Sequence, residues 1–190
     1  YGAVDTKDML AAGEKMDRAK LRREIQKFSS GKVNMRAINT WIEESAAMHE
    51  FIGTIYAKYY PDATVDACVG EEARWPAQDD SGYFFPPIQH YWQVKDGIPR
   101  NEMLQKYMEE EGYSIDFKMS IVKLEKQDGK VTGVIAQNTG SGKYIRINAS
   151  KGVIIATGGY PGNPEMMEQL DPLGTAVTTT NVCSPQDTGE

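Results

Sequence analysis

The nine residues Lys151-Gly152-Val153-Ile154-Ile155-Ala156-Thr157-Gly158-Gly159 decide how this chain is read. Val153 to Ala156 is an apolar, β-branched run without polar alternation, which predicts a strand buried on both faces of a parallel sheet. It stops at a turn of small residues. In such sheets ligands bind at the carboxyl ends of the strands, where Thr157, Gly158 and Gly159 fall. Glycines there leave no Cβ between the backbone and a flat or phosphorylated ligand, and Thr157 adds a hydroxyl. The same glycines also suit an ordinary tight turn, so the stretch alone leaves both readings open.

Upstream of it the pattern changes to short alternating segments. Asp128-Gly129 marks a tight turn into Lys130–Asn138, and Gly140-Ser141-Gly142 turns the chain into Tyr144–Asn148. With strand-like segments at Ser114–Lys118 and Ile121–Glu125, these predict a three-stranded antiparallel meander. Pro99 suits the first position of a helix running to Glu111, which Gly112 closes in the left-handed conformation.

The first third reads helical. Asp17 caps a segment with Leu21, Ile25 and Phe28 on one stripe, ending near Ser29-Ser30-Gly31. A longer helix follows from Asn34 to about Tyr59, with Ile38, Trp41, Ile42, Ile52, Ile55, Tyr56 and Tyr59 at three- and four-residue spacing, until Pro61 ends it. Between Asp62 and Gly97 periodicity fails, and prolines interleave with Trp75, Tyr83, Phe84, Phe85, Tyr91 and Trp92. That aromatic density implies burial, either within the domain or against a partner or ligand. The fold class is therefore α/β, mixed α+β for this piece. It reads as one incomplete domain with a helical region at 1–60, an aromatic loop region at 61–98, and a helix, meander and glycine-ended strand at 99–190.

Composition excludes several functions. A net charge of −6 and a pI near 5.1 argue against a sequence-independent nucleic-acid surface. Arg18, Lys20, Arg22, Arg23 and Lys27 cluster on one helix, but acids are mixed among them and they read as a solvated face. No apolar run approaches the roughly 20 residues of a membrane span. Cys68 and Cys183 lie far apart and near no second metal-type ligand, so no metal site is expected. Tyr1-Gly2-Ala3-Val4 reads like a chain entered in mid-element, with its natural start expected upstream.

The order of helix, meander, apolar strand and glycine turn resembles the FAD-binding domain of the fumarate reductase, succinate dehydrogenase and 3-oxosteroid dehydrogenase flavoproteins. The family's "GxVxGV" is matched by Gly129-Lys130-Val131-Thr132-Gly133-Val134, its "VILATGG" by Val153 to Gly159, and its "GN" by Gly162-Asn163. Thr188-Gly189-Glu190 matches the start of its "TGDG", with Glu for Asp. The resemblance is weak from Gly2 to about Tyr59 and good from Asn101 onward. It implies a Rossmann-like domain whose parent is an FAD-dependent oxidoreductase acting on a carbon–carbon double bond. Ala156, Thr157, Gly158 and Gly159 would line the FAD near its pyrophosphate, Met119 and Ser120 would offer backbone groups to the adenine, and Thr188 and Gly189 would lie beside the dinucleotide.

The resemblance also implies what is missing. The family's G-x-G-x-x-G fingerprint is nowhere in this chain, and its catalytic histidines and arginines lie C-terminal to the "TGDG" loop, where this chain ends. No catalytic residue is assigned. His49 and His90 match none of those positions and read as structural or surface histidines. The expected partners are the remaining segments of the same flavoprotein and a small-molecule substrate, for which fumarate, an enoate, a steroid and a phenolic acid are all compatible. FAD is expected in the parent and not in the piece alone. The competing reading is a non-catalytic binding or interaction module.

Overall fold

The computed structural model describes residues 2–79, 81–97 and 99–176. They form two compact units, Tyr1–Ser114 and Ile115–Glu190.

The first unit is built on three N-capped helices. Thr6 caps α1 (Lys7–Ala11), Asp17 caps α2 (Arg18–Phe28) by accepting from the Lys20 amide at 2.9 Å, and Asn34 caps α3 (Met35–Tyr59). Ser30 and Gly31, both in the left-handed region, turn the chain between the last two. One stripe of α3 is buried, comprising Ile42, Ser45, His49, Ile52, Ile55 and Tyr56, spaced as an amphipathic helix requires. Ile42 joins Val4, Met16, Leu21 and Phe85 in one core cluster, and Ile52, Ile55 and Tyr56 join Met103 in a second. Phe28, expected on the buried stripe of α2, is instead 75% exposed. It is the last residue of its helix, beyond the reach of that core.

The stretch from Asp62 to Gly97, read as a loop, folds into two short antiparallel ribbons. β1 (Thr64–Asp66) pairs with β4 (Tyr91–Gln93), and β2 (Trp75–Pro76) pairs with β3 (Phe84–Phe85). Its aromatics largely pack inside the unit. Trp75 stacks on Phe85 at 4.2 Å, and Tyr83 meets Phe85 edge-on. Pro99 precedes α4 (Arg100–Glu110), which inserts Met103 beside α3, and Gly112 follows at φ 83°.

The second unit carries the meander. β5 (Met119–Gln127), β6 (Lys130–Asn138) and β7 (Tyr144–Asn148) pair antiparallel in sequence order. Asp128 and Gly129 both have positive φ, 50° and 78°, the signature of a two-residue hairpin turn matched to strand twist. Two strands had been expected before this turn, at Ser114–Lys118 and Ile121–Glu125. The structure has one, because Lys118 turns the chain at φ 60° and pairing begins at Met119. Register makes the sheet two-sided. Met119, Ile121, Leu124, Val134, Ala136, Ile145 and Ile147 share an apolar face, with irregularities in β5 restoring the phase, while Ser120, Lys123, Gln137, Tyr144 and Arg146 share a polar one.

Val153–Ala156 departs from expectation. It forms no strand, and Ile154 and Ile155 are 94% and 67% exposed. A fully apolar strand needs hydrogen-bonded neighbours on both edges and cover on both faces. The described strands pair only in two antiparallel ribbons and the meander, and none of them pairs with it. Beyond it, Asn163 caps α5 (Pro164–Leu170), accepting from the Met166 amide at 3.1 Å, and α6 (Pro172–Ala176) follows.

Candidate functional site

The glycine turn stands at the edge of an apolar hollow. Ile121, Val122, Lys123 and Leu124 of β5 and Val134 of β6 form one wall, and Val153, Ile154, Ile155 and Thr157 form the other, around about 460 Å³. Of these residues only Lys123 is charged. Gly158 sits at φ 82°, a backbone state that favours glycine, so the need for it here is conformational. At Gly159 a Cβ would lie 3.1 Å from Cδ of Pro161, which crowds the turn from its far side.

The other expected residues separate. Ala156, Gly158 and Gly159 are exposed. Met119 lines a second hollow of about 370 Å³ with Ile115, Asp116, Phe117, Asn138, Ile145 and Ile147, and its sulfur accepts from the Asn138 amide at 3.7 Å. Ser120 pairs with Gln137 on the polar face of the sheet. The structure thus brings Thr157 to β5 but puts the side chains of Met119 and Ser120 elsewhere. Thr188, Gly189 and Glu190 lie outside the described residues.

In the first unit, Arg74 makes a two-pronged ion pair with the buried carboxylate of Glu14, at 2.8 and 3.1 Å to one oxygen. Its guanidinium is held above its ordinary range by the hydrogen bond and charge of Glu14. This arginine is a fastener of the fold.

His49 and His90, read as separate structural or surface residues, are both buried and lie against each other with ring centroids 4.4 Å apart. The burial of His49 was legible in its place on the α3 stripe, one turn after Ser45. Nothing local signals the burial of His90. Burial, and next the nearby His90, push His49 below the ordinary histidine range. Among the described residues no group of His, Cys, Asp and Glu could hold a metal ion.

The family model described as "FAD binding domain" matches residues 77–190. No curated protein matches the chain. Among solved structures, the chain is similar to 3-ketosteroid-delta4-(5alpha)-dehydrogenase from Rhodococcus jostii RHA1 in complex with 4-androstene-3,17-dione. The match has a TM-score of 0.66 at 18% identity and covers 100% of this chain and 42% of that one. At that identity the likeness is one of fold, and the chain spans less than half of its neighbour's length.

Proposed function

Because the chain belongs to the FAD binding domain family, we propose that it is part of an FAD-dependent oxidoreductase acting on a carbon–carbon double bond and that it is inactive alone. The observation that carries this reading is the Thr157-Gly158-Gly159 turn, with Gly158 left-handed beside an apolar hollow, inside the residues the family model matches. The residues present fit a flavin dinucleotide. A left-handed glycine exposes backbone amide groups to close approach, and a largely apolar wall, with Lys123 its single charged residue, suits a flat ring system.

In this reading Ala156, Thr157, Gly158 and Gly159 hold the dinucleotide, with Met119 and Ser120 contributing backbone groups and Thr188 and Gly189 completing the contact. The bound flavin supplies reversible hydride transfer. Gly158 would let the backbone come close, Thr157 would offer its hydroxyl, and Ile121, Leu124 and Val134 would keep water from that side. His49 and His90 are buried in the packing of the first unit, so the proton donor comes from other segments of the same flavoprotein. Those segments also cover the apolar face of the meander and pair with Val153–Ala156. The substrate is a small unsaturated acid or ketone. A steroid enone is one such compound, and the structural neighbour was solved with 4-androstene-3,17-dione.

The test is to purify the 190-residue chain and the longer flavoprotein side by side. The longer protein should carry FAD and, once reduced under anaerobic conditions, be reoxidised by one member of a panel of enoates and enones. The chain alone should retain no flavin after FAD is added and should turn over none of the panel. A colourless longer protein overturns the cofactor assignment, and a flavoprotein inert to the whole panel overturns the reaction.

A further inference from the structure

The first unit contains a buried histidine pair for which the flavin chemistry has no use. His90 is fully buried, and its Nδ1 lies 3.0 Å from the Ile88 carbonyl. A carbonyl only accepts, so Nδ1 carries a hydrogen, and in the neutral form of the ring Nε2 is the acceptor for the Thr6 hydroxyl, 2.7 Å away. That hydroxyl also accepts from the Met9 amide, which makes it the cap of α1.

The neighbouring contacts hold the same piece of chain. The Ala3 amide donates to the Ile88 carbonyl at 2.9 Å, Gly2 bridges to Gln89, and the Val4 amide donates to the Ser45 hydroxyl at 3.0 Å. Residues 2–9 are thus tied to the 88–90 turn and to the α3 turn that precedes His49. His49 occupies the centre of this arrangement, 3% exposed, between His90 and the Trp92 ring, which stacks on it at 5.5 Å. Its Nε2 has no hydrogen-bond partner among the described residues.

We propose that His49 and His90 form an acid-opened clasp, which holds residues 2–9 against α3 and the 88–90 turn while His49 is neutral and releases them when His49 is protonated. In either tautomer, a proton added to His49 leaves a charged Nε2–H without an acceptor, beside an indole and a second imidazole. The charges facing His49 divide. Asp8 of α1 and Glu50 of α3 favour the proton, while His90 opposes it, and burial opposes it most. The sign follows from the lowered folded-state value. Above about pH 6.5 His49 is neutral in both the folded and the open segment, whereas below it the open form takes up the proton first and is favoured.

The test is amide hydrogen exchange on the full chain, corrected for intrinsic rates, at pH 7.5 and 5.0. Protection of Ala3, Val4 and Met9 should fall at least about tenfold at the lower pH, within the range that one unsatisfied buried donor produces, while the β6 amides hold theirs. His49→Phe, which cannot take up a proton, should keep the protection at pH 5.0. Equal protection at both pH values in the parent chain, or the same fall in His49→Phe, overturns the clasp. If that variant does not fold, the ring titration of His49 by NMR decides. Protonation below the ordinary histidine range with concerted shifts at Ala3 and Val4 supports the clasp, and ordinary titration with those amides unmoved overturns it.

Discussion

Trp92 lies flat on Tyr56, with ring centroids 4.5 Å apart and planes 6° from parallel, and its outer ring edge faces the backbone of Gly53 one turn back along α3. A Cβ at Gly53 would sit 3.1 Å from Trp92 Cη2. The indole is held by Tyr56 and His49, so it has little room to yield. Replacing a helical glycine by alanine normally gains about 1 kcal/mol. Gly53→Ala should gain much less, because the methyl presses on the indole, and Gly53→Val should lose about 1–3 kcal/mol as an overpacked site does. Urea denaturation followed by tryptophan fluorescence measures both, and a full helix-propensity gain in Gly53→Ala would show that Trp92 moves freely.

The second glycine of the Gly129–Val134 motif has a physical reason of its own. A Cβ at Gly133 would lie 2.4 Å from the Ile147 carbonyl oxygen, which belongs to the backbone of β7 and cannot swing away. Gly133→Ala should therefore unpair the Gly133–Asn148 end of the ladder. Exchange of the Ala149 amide, which donates to the Thr132 carbonyl at 2.8 Å, should accelerate while the Asp128-Gly129 turn persists. Unchanged exchange at Ala149 would mean that β7 absorbs the methyl by a backbone shift.

In the intact flavoprotein, Gly158→Val should lower FAD occupancy. A β-branched residue is strained at φ 82°, by about 1–3 kcal/mol, and its side chain enters the space where a cofactor would meet the backbone. Gly158→Ala should lose less flavin. Absorbance ratios of flavin to protein in the purified variants measure this, and equal flavin content in all three proteins would remove the turn from the cofactor site.

Thr6→Val replaces a hydroxyl by a methyl of similar volume. It removes the cap of α1 and the hydrogen that His90 Nε2 receives, and should cost about 1–3 kcal/mol at pH 7.5. Thr6→Ser keeps both bonds and should cost far less. Comparable thermal midpoints for the two variants would show that the hydroxyl contributes little.

Where a signal was local, the sequence disclosed it. Asp17 caps its helix as read, and Asp128-Gly129 makes the hairpin turn, because caps and turns depend on residues within a few positions. Where structure depends on distant partners, the reading fell short. The ribbon of β1 with β4 arises from pairing across more than twenty residues and left no periodicity to detect. Val153–Ala156 carries the composition of a doubly buried strand, yet that composition states only what the segment needs from its surroundings. For the candidate site, Thr157 and Gly158 were legible as a small-residue break after an apolar run, whereas the polar facing of Ser120 followed from the register of β5 on β6, with its irregularities.

The meander's strands are joined by connections of two and five residues, so every rung of its ladder links positions close in the chain. Little loop entropy is lost in closing such contacts, and hairpins of this kind form in about 1–10 μs. A nascent chain adds only about 5–20 residues per second. Once Asn148 has left the ribosome, the three strands have time to take their register many times over before Gly159 emerges in its turn. The sheet is therefore a finished template when the apolar segment that follows it first emerges.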